Sequence, residues 1–472
     1  MKGNYSMKKI IKGLAVAGCI ATILPLAASC GAKVIPDFVM PEGGFDTTQR
    51  VEISFYHTMG QNLIEVLEAF IGEGSEFNEM YPNIVVKQKS IGNYTDIRDQ
   101  LTTEIASGSN DANITYCYPD HVARYLKAQS VVTLDTLIES EYGYSQEQIN
   151  DFVPAFYNEG KSFGDGKMYC LPFSKSSEVL YYDATFFQKN NLKVPTTWDE
   201  MEAVCRQIKK IDPTCIPLGY DSASNWFITM CEQLGSEYTS SEEPHYLFNN
   251  QTMRDFTKRV YGWYQESLIT TKTLYGSYTS GLFTAAPVGD EQVTRCYMCI
   301  GSSAGATYQR PTKQGDQYRF DVGIASIPQV NKEQTGAVIS QGPNVTIFRD
   351  KDPQKVLASW LLVKYLTTNI GFQGQFSMTS GYTPVIKSVN NNSIYANFLK
   401  NADGGDNIAA LSTKVCVEQE SIYLTSPAFD GSAEARDAVG AMLENIMAAP
   451  QGTDIDAYIT KKFNEAIDEL NY

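Results

Sequence analysis

Gly301-Ser302-Ser303-Ala304-Gly305 has the spacing of a nucleophile motif in this chain of 472 residues. G-x-S-x-G sets a serine on a sharp strand-to-helix turn, where a histidine later in the chain takes its proton. Both supporting conditions fail. Residues 306–320 (ATYQRPTKQGDQYRF) lack apolar residues at helical spacing, and His57, His121 and His245 all precede Ser303. A hydrolase triad is therefore rejected. The same residues suit a different chemistry: a strand over 296–300 delivering the hydroxyls of Ser302 and Ser303, with open backbone N–H groups, to a cleft. Such groups bind phosphate or sugar oxygens; a plain tight turn is the competing reading. Cys296 and Cys299 in TRCYMCIGSS form the only CxxC among ten cysteines. Positions i and i+3 of an extended strand face opposite sides, so the two are not expected to share a metal. The sequence thus calls for no metal, no cofactor and no disulfide framework.

Those hydroxyls must be held by regular elements, and residues 166–210 show how. Val179, Leu180, Tyr181 and Tyr182 suit a buried strand. Pro195 breaks the chain, Thr197 and Glu200 have capping-box spacing, and Trp198, Met201, Val204, Cys205 and Ile208 recur at helical spacing to residue 210. Earlier, strands are expected at 51–56, 84–86 and 113–118. Helices marked by Leu63, Val66, Leu67 and Phe70, and by Ile97, Leu101 and Ile105, separate them. Such alternation implies parallel sheets covered by helices on both faces. Asp352 and Pro353 open a further helix, and 433–447 and 454–470 read as the last two.

With 43% hydrophobic and 19% charged residues the chain is a folded protein too long for one typical core, so two lobes are expected. Its formal net charge of −16 makes nucleic acid a poor partner. Residues 1–29 read as an export signal: Lys8, Lys9 and Lys12 precede an apolar run from Gly13 to Leu26 that is short for a membrane span. Leu-Ala-Ala-Ser-Cys then ends the segment at Cys30, like the lipid-attachment site of a lipoprotein; Val-Ala-Gly-Cys at Cys19 is the formal competitor. Two acyl chains on such a cysteine suffice for stable membrane anchoring. Residues 31–48, with Pro36, Pro41, Gly43 and Gly44, read as a flexible tether.

The 166–210 segment, together with FYHTMG at 55–60, IGNYTD at 91–96, QGPNVTIF at 341–348 and SGYTPV at 380–385, resembles the extracellular solute-binding proteins of ABC importers, in their sugar and glycerol-phosphate branch. SGYTPV is similar to the TGYLPV string of that family, and FYHTMG to its WHSM segment with Tyr56 replacing the tryptophan. The resemblance implies an α/β, two-lobed fold of the periplasmic-binding-protein type, with a ligand cleft between lobes joined by a multi-strand hinge. It divides the chain into signal 1–29, anchor and tether 30–48, a first lobe of 49–174 with 295–337, and a second of 175–294 with 338–472. It nominates Tyr94, Asp120, Ser176, Ser177, Trp226, Ser302, Ser303, Gly342, Tyr382 and Arg436 as ligand contacts, with Lys175 adding a cation. Tyr94, Ser176, Ser303, Gly342, Tyr382 and Arg436 resemble the phosphate-side set of glycerol-3-phosphate receptors, leaving Trp226 and Asp120 for the glycerol end. The implied protein is a monomeric, lipid-anchored receptor on the outer face of the cytoplasmic membrane. It captures a sugar or phosphorylated polyol by cleft closure and hands it to permease subunits. A cell-surface carbohydrate-active enzyme is the alternative.

Overall fold

Val51, Ile53 and Phe55 alternate with half-buried Glu52 and Ser54 along the first strand, giving it one wholly apolar face. That face packs into the first of the molecule's cores. The computed structural model describes residues 37–286, 293–331 and 336–471. Its strands are β1 (Val51–His57), β2 (Ile84–Ser90), β3 (Ile114–Cys117), β4 (Leu171–Pro172), β5 (Ser176–Asp183), β6 (Leu218–Tyr220), β7 (Ile269–Thr271), β8 (Met298–Ser302), β9 (Lys313–Gln314), β10 (Gln317–Tyr318), β11 (Val322–Ser326), β12 (Val338–Gln341), β13 (Asn344–Ile347) and β14 (Tyr423–Leu424). The first sheet runs β2-β1-β3-β13-β4. β1 is parallel to β2 and β3, because parallel neighbours need crossover helices, supplied here by Gln61–Ile71 and Tyr94–Ser107. β13 returns antiparallel between β3 and β4.

The second sheet runs β14-β12-β5-β8-β6-β7, with β11 also on β5. Every residue of β5 except Tyr182 is buried, as its near-continuous apolar run requires of a central strand. The helix Trp198–Ile211 carries the expected capping box at Thr197 and Glu200 and buries the five residues singled out for its inner face. Helices Ala223–Gln233, Gln251–Gln265, Ser432–Met447 and Ile455–Leu470 pack around the same core. The fold is the two-lobed α/β arrangement, with a cleft between lobes.

The lobe boundaries differ from expectation. Residues 295–337 belong to the second sheet: β8 fits between β5 and β6, and β11 pairs with β5. Residues 344–399 belong to the first lobe, because β13 fills the slot between β3 and β4 and helices Pro353–Thr368 and Ile370–Ser380 pack on that core. The chain therefore crosses at 173–175, at 342–343, and again between helices Ser393–Lys400 and Ile408–Glu418.

At the first two crossings the backbones nearly touch. Gly342 has φ +95°, and a Cβ there would stand 2.4 Å from Ser174 O and 2.7 Å from Lys175 Cα, so only glycine fits. Lys175 is not a cleft cation. Its side chain is fully buried and paired with Glu159, and Asn344 Nδ2 donates to Glu159 Oε2 at 3.0 Å. The expected tether is also corrected in its described part. Phe45 is buried, its N–H bonds Tyr142 Oη at 3.0 Å, and Gln354 clamps Asp46 N–H and Gly44 O at 2.8 and 3.0 Å. Residues 37–48 are thus pinned to the first lobe. The signal, Cys19 and Cys30 lie outside the described residues.

Candidate functional site

Helices Tyr94–Ser107 and Pro119–Lys127 of the first lobe, and Ala223–Gln233 and Ser432–Met447 of the second, begin at the cleft. Each brings a polar side chain from its first or second turn: Tyr94, Asp120, Asn225 and Arg436. Two chambers result, joined at Gln341. The smaller, about 510 Å³ including open solvent, is lined by Tyr118, Asp120, Glu159, Tyr238, Gln341 and Arg436 among others. The larger, about 1420 Å³ including open solvent, is lined by Asp221, Ser222, Asn225, Lys272, Tyr278, Ser302, Tyr308, Gln309, Gln341 and Tyr382.

The small chamber is a crossing point between lobes. Arg436 Nε donates to Asp120 Oδ2 at 3.2 Å, and Arg436 Nη1 donates to Asn225 Oδ1 at 3.0 Å. Outside it, Arg98, Arg124 and Lys127 of the first lobe meet Asp437, Glu434 and Asp430 of the second at 3.3, 2.8 and 2.6 Å. Burial opposes the Asp120 charge, but the Arg436 guanidinium and the His121 backbone N–H, which donates to Oδ1 at 2.9 Å, hold its carboxyl below the usual carboxylate range. Burial pushes the His121 imidazole down to about 4 against the pull of Asp120. The ring is therefore neutral near pH 7, and Arg436 is the charge that pairs with Asp120.

The large chamber joins aromatic faces to amides, hydroxyls, the Asp221 carboxyl and the Lys272 side chain. Tyr308 is 76% exposed and Tyr278 59%, in a protein that buries most of its aromatics. Lys272 Nζ sits 3.8 Å from the Tyr278 ring centroid. Asp221 accepts from Thr279 N–H and Oγ1, both at 2.8 Å, and burial raises its pKa despite those bonds. Glu178 lies behind Asn225. Burial pushes its carboxyl up to about 7, against hydrogen bonds from Tyr220 and Asn225 and with added repulsion from Asp221.

Four of the nominated residues reach a chamber, and they divide between the two: Asp120 and Arg436 line the small one, Ser302 and Tyr382 the large one. Tyr94 stands behind Tyr382, with their hydroxyls 3.3 Å apart, and stacks on Tyr118. The others are structural. Trp226 is fully buried, stacked on Tyr220 at 4.8 Å and surrounded by Trp198, Phe256 and Trp263. Ser177 Oγ donates to Ile339 O at 2.9 Å, and its N–H donates to the buried Ser303 Oγ at 3.3 Å. Ser176 is buried opposite Gln341 in the β5–β12 pairing, and Gly342 serves the crossing. Ser303 is held by Ser177 rather than by a base, and a short 3₁₀ turn, Ser303–Gln309, follows it. The supposed phosphate-side set therefore does not converge. The two CxxC thiols do approach one group: Cys296 Sγ lies 3.8 Å from Thr279 O and Cys299 Sγ 3.0 Å from Thr279 Oγ1. Regular strand begins only at Met298, so the alternation assumed for the pair does not hold.

Asn225, Gln341, Asp221, Tyr278 and Tyr308 escaped the sequence reading. Asn225 carried a signal, since Ser222 caps the helix that presents it. Its neighbour Trp226, the nominated residue, points about 100° away around the helix, into the core.

A family model described as bacterial extracellular solute-binding protein matches residues 74–401. An uncharacterised ABC transporter extracellular-binding protein of Pyrococcus horikoshii is 26% identical over 232 residues, 47% of this chain and 49% of that protein, so the match spans about half of the relative. The sn-glycerol-3-phosphate-binding periplasmic protein UgpB of Yersinia pseudotuberculosis is 21% identical over 343 residues, 71% of this chain and 74% of that one. Among solved structures, UgpB of Mycobacterium tuberculosis with glycerophosphocholine has a TM-score of 0.69 at 17% identity, covering 89% of this chain and 98% of the other. The sugar-binding protein MalE of Xanthomonas citri has the same TM-score and coverage at 16% identity. A model matching more than half the sequence, on a two-lobed frame with a polar cleft, makes this chain a member of the bacterial extracellular solute-binding protein family.

Proposed function

We propose that the chain is the solute receptor of an ABC importer and that its ligand is a neutral carbohydrate or polyol, bound in the large chamber. One observation carries the choice of ligand. Arg436 is already paired with Asp120 and Asn225, whereas the open chamber offers the rings of Tyr278, Tyr308 and Tyr382 beside Asp221, Asn225, Gln309 and Gln341. Sugars present apolar ring faces to aromatics and hydroxyls to carboxylates and amides; phosphate esters need converging arginine and hydroxyl donors. Capture is by binding and lobe closure rather than catalysis, because contacts to both lobes favour the closed state. Export with a diacylglyceryl anchor at Cys30 completes this reading, with a monomer docking on permease subunits.

A phosphorylated polyol is the second reading. The curated relatives named for sn-glycerol-3-phosphate favour it, as does the ammonium of Lys272 in the large chamber. Calorimetric titration of the full chain with maltotriose, ribitol, glycerophosphocholine and sn-glycerol-3-phosphate separates the two. The neutral ligands should give heat, and Tyr308→Ala should weaken their binding about tenfold, the worth of one aromatic face. Heat from the phosphate esters alone, lost in Lys272→Ala, would sink the carbohydrate reading.

A further inference from the structure

Glu178 has both carboxylate oxygens in use. Oε2 accepts from Tyr220 Oη at 2.6 Å and Oε1 from Asn225 Nδ2 at 3.1 Å. Asn225 Oδ1 is thereby turned to the cleft, where it accepts from Arg436 Nη1 at 3.0 Å and Gln341 Nε2 at 3.1 Å. The amide orientation is forced, because a guanidinium has only donors and must meet the oxygen. Arg436 Nε then reaches Asp120 of the opposite lobe at 3.2 Å. One hydrogen-bonded chain thus runs from the core of the second lobe, past the junction of the two chambers, to the first lobe.

We propose that Glu178 is a positioning residue for the cleft: by accepting from Asn225 Nδ2 it aims the Asn225 oxygen at Arg436, and so holds that guanidinium across the cleft against Asp120. This rests on the reading of the cleft as the binding site, since a ligand then meets an arginine either tied or released. A protonated Glu178 donates from one oxygen, and the acceptors in reach are Tyr220 Oη and Asn225 Oδ1. Where Asn225 takes that bond its amide turns, its NH₂ group faces the donors of Arg436 and Gln341, and the Asn225–Arg436 link is lost, so the tie between lobes is weakened to Arg436–Asp120 and the three outer ion pairs. The groups facing Glu178 are Tyr220 and Asp221 from β6 and its end, Asn225 from its helix and Arg436 from helix Ser432–Met447, with Asp120 and His121 beyond Arg436. Gln419 Nε2 holds the Glu178 main-chain oxygen at 3.1 Å. Burial, which raises this carboxyl to about 7, puts the exchange in reach of mild acid.

The test uses the full chain without ligand, spin-labelled through Glu147→Cys in the first lobe and Glu469→Cys in the second. The interlobe distance is followed from about pH 5.5 to about pH 8.5. The wild type should show one transition with its midpoint near 7, longer on the acid side. Glu178→Gln, uncharged throughout, should keep one distance at every pH, and Asn225→Leu should abolish the pH dependence even if Glu178→Gln fails to fold. Tyr220→Phe removes one hydrogen bond to the carboxylate but leaves the Asn225 contact, so its transition should persist with a raised midpoint. A flat wild-type profile, or a transition surviving in Glu178→Gln or Asn225→Leu, overturns the proposal. The readout contains no sugar or phosphate, so it stands apart from the identity of the ligand.

Discussion

Lys175 and Glu159 offer the sharpest energetic test of the hinge. Their side chains are 0% and 4% exposed, Lys175 sits in the first crossing, and its main chain exchanges hydrogen bonds with Thr383. Lys175→Met fits an unbranched apolar chain into the same space but strands the Glu159 charge, leaving it Asn344 Nδ2 as its hydrogen-bond donor. Breaking a buried pair from one side costs about 3–5 kcal/mol, because the remaining ion is neither hydrated nor paired. Glu159→Leu alone should cost a similar amount by stranding the ammonium. The double variant Lys175→Met with Glu159→Leu should recover most of the loss, since an apolar pair of similar volume has no charge to desolvate. Urea unfolding of the four proteins, extrapolated linearly to water, gives the cycle; the lobes are fitted as separate transitions if fluorescence and circular dichroism do not coincide. Salt should barely change the coupling, because a pair this little exposed is poorly screened. A Lys175→Met protein within about 0.5 kcal/mol of wild type, or coupling that fades with salt, would show that the pair is solvated and the hinge more open than described.

Trp226→Ala should destabilise the second lobe by about 3–5 kcal/mol through the cavity it leaves. Trp226→Phe should fold and bind any ligand as the wild type does; a selective loss of binding there would restore the tryptophan as a ligand platform. Burial holds the His121 imidazole down to about 4, below its ordinary 6.5, so the unfolded chain takes up the proton first. Stability should therefore fall as pH drops from 6.5 toward 4, by up to about 3 kcal/mol, and His121→Phe should flatten that limb. Glu178 works in the opposite sense: its raised pKa gives stability that is lost as pH climbs through about 7, so the His121 contribution is read as the difference between wild type and variant. An unchanged acid limb in His121→Phe would mean that the imidazole is protonated in the folded state.

Local chemistry made much of the architecture legible. The capping box at Thr197, the apolar stripe behind it, the uninterrupted apolar run of β5 and the proline-opened helix at Pro353 are set by neighbours a few residues apart. The strings at 341–348 and 380–385 marked the crossing and the position of Tyr382. What the chain could not declare was anything fixed by a partner far along it. β8 and β13 are short apolar strands that would suit either sheet. Only the open slots beside β5 and between β3 and β4 decide where they lie. Lys175 looked like a cation for a ligand until Glu159 and Asn344 closed around it. Trp226 and Asn225 are adjacent, and helix rotation alone sends one to the core and the other to the cleft. Periodicity and capping are short-range, so the sequence by itself determined the elements and the two-lobed α/β class. Burial, ion pairing and the meeting of lobes are long-range, and only the tertiary structure decided which polar side chains remained at the cleft.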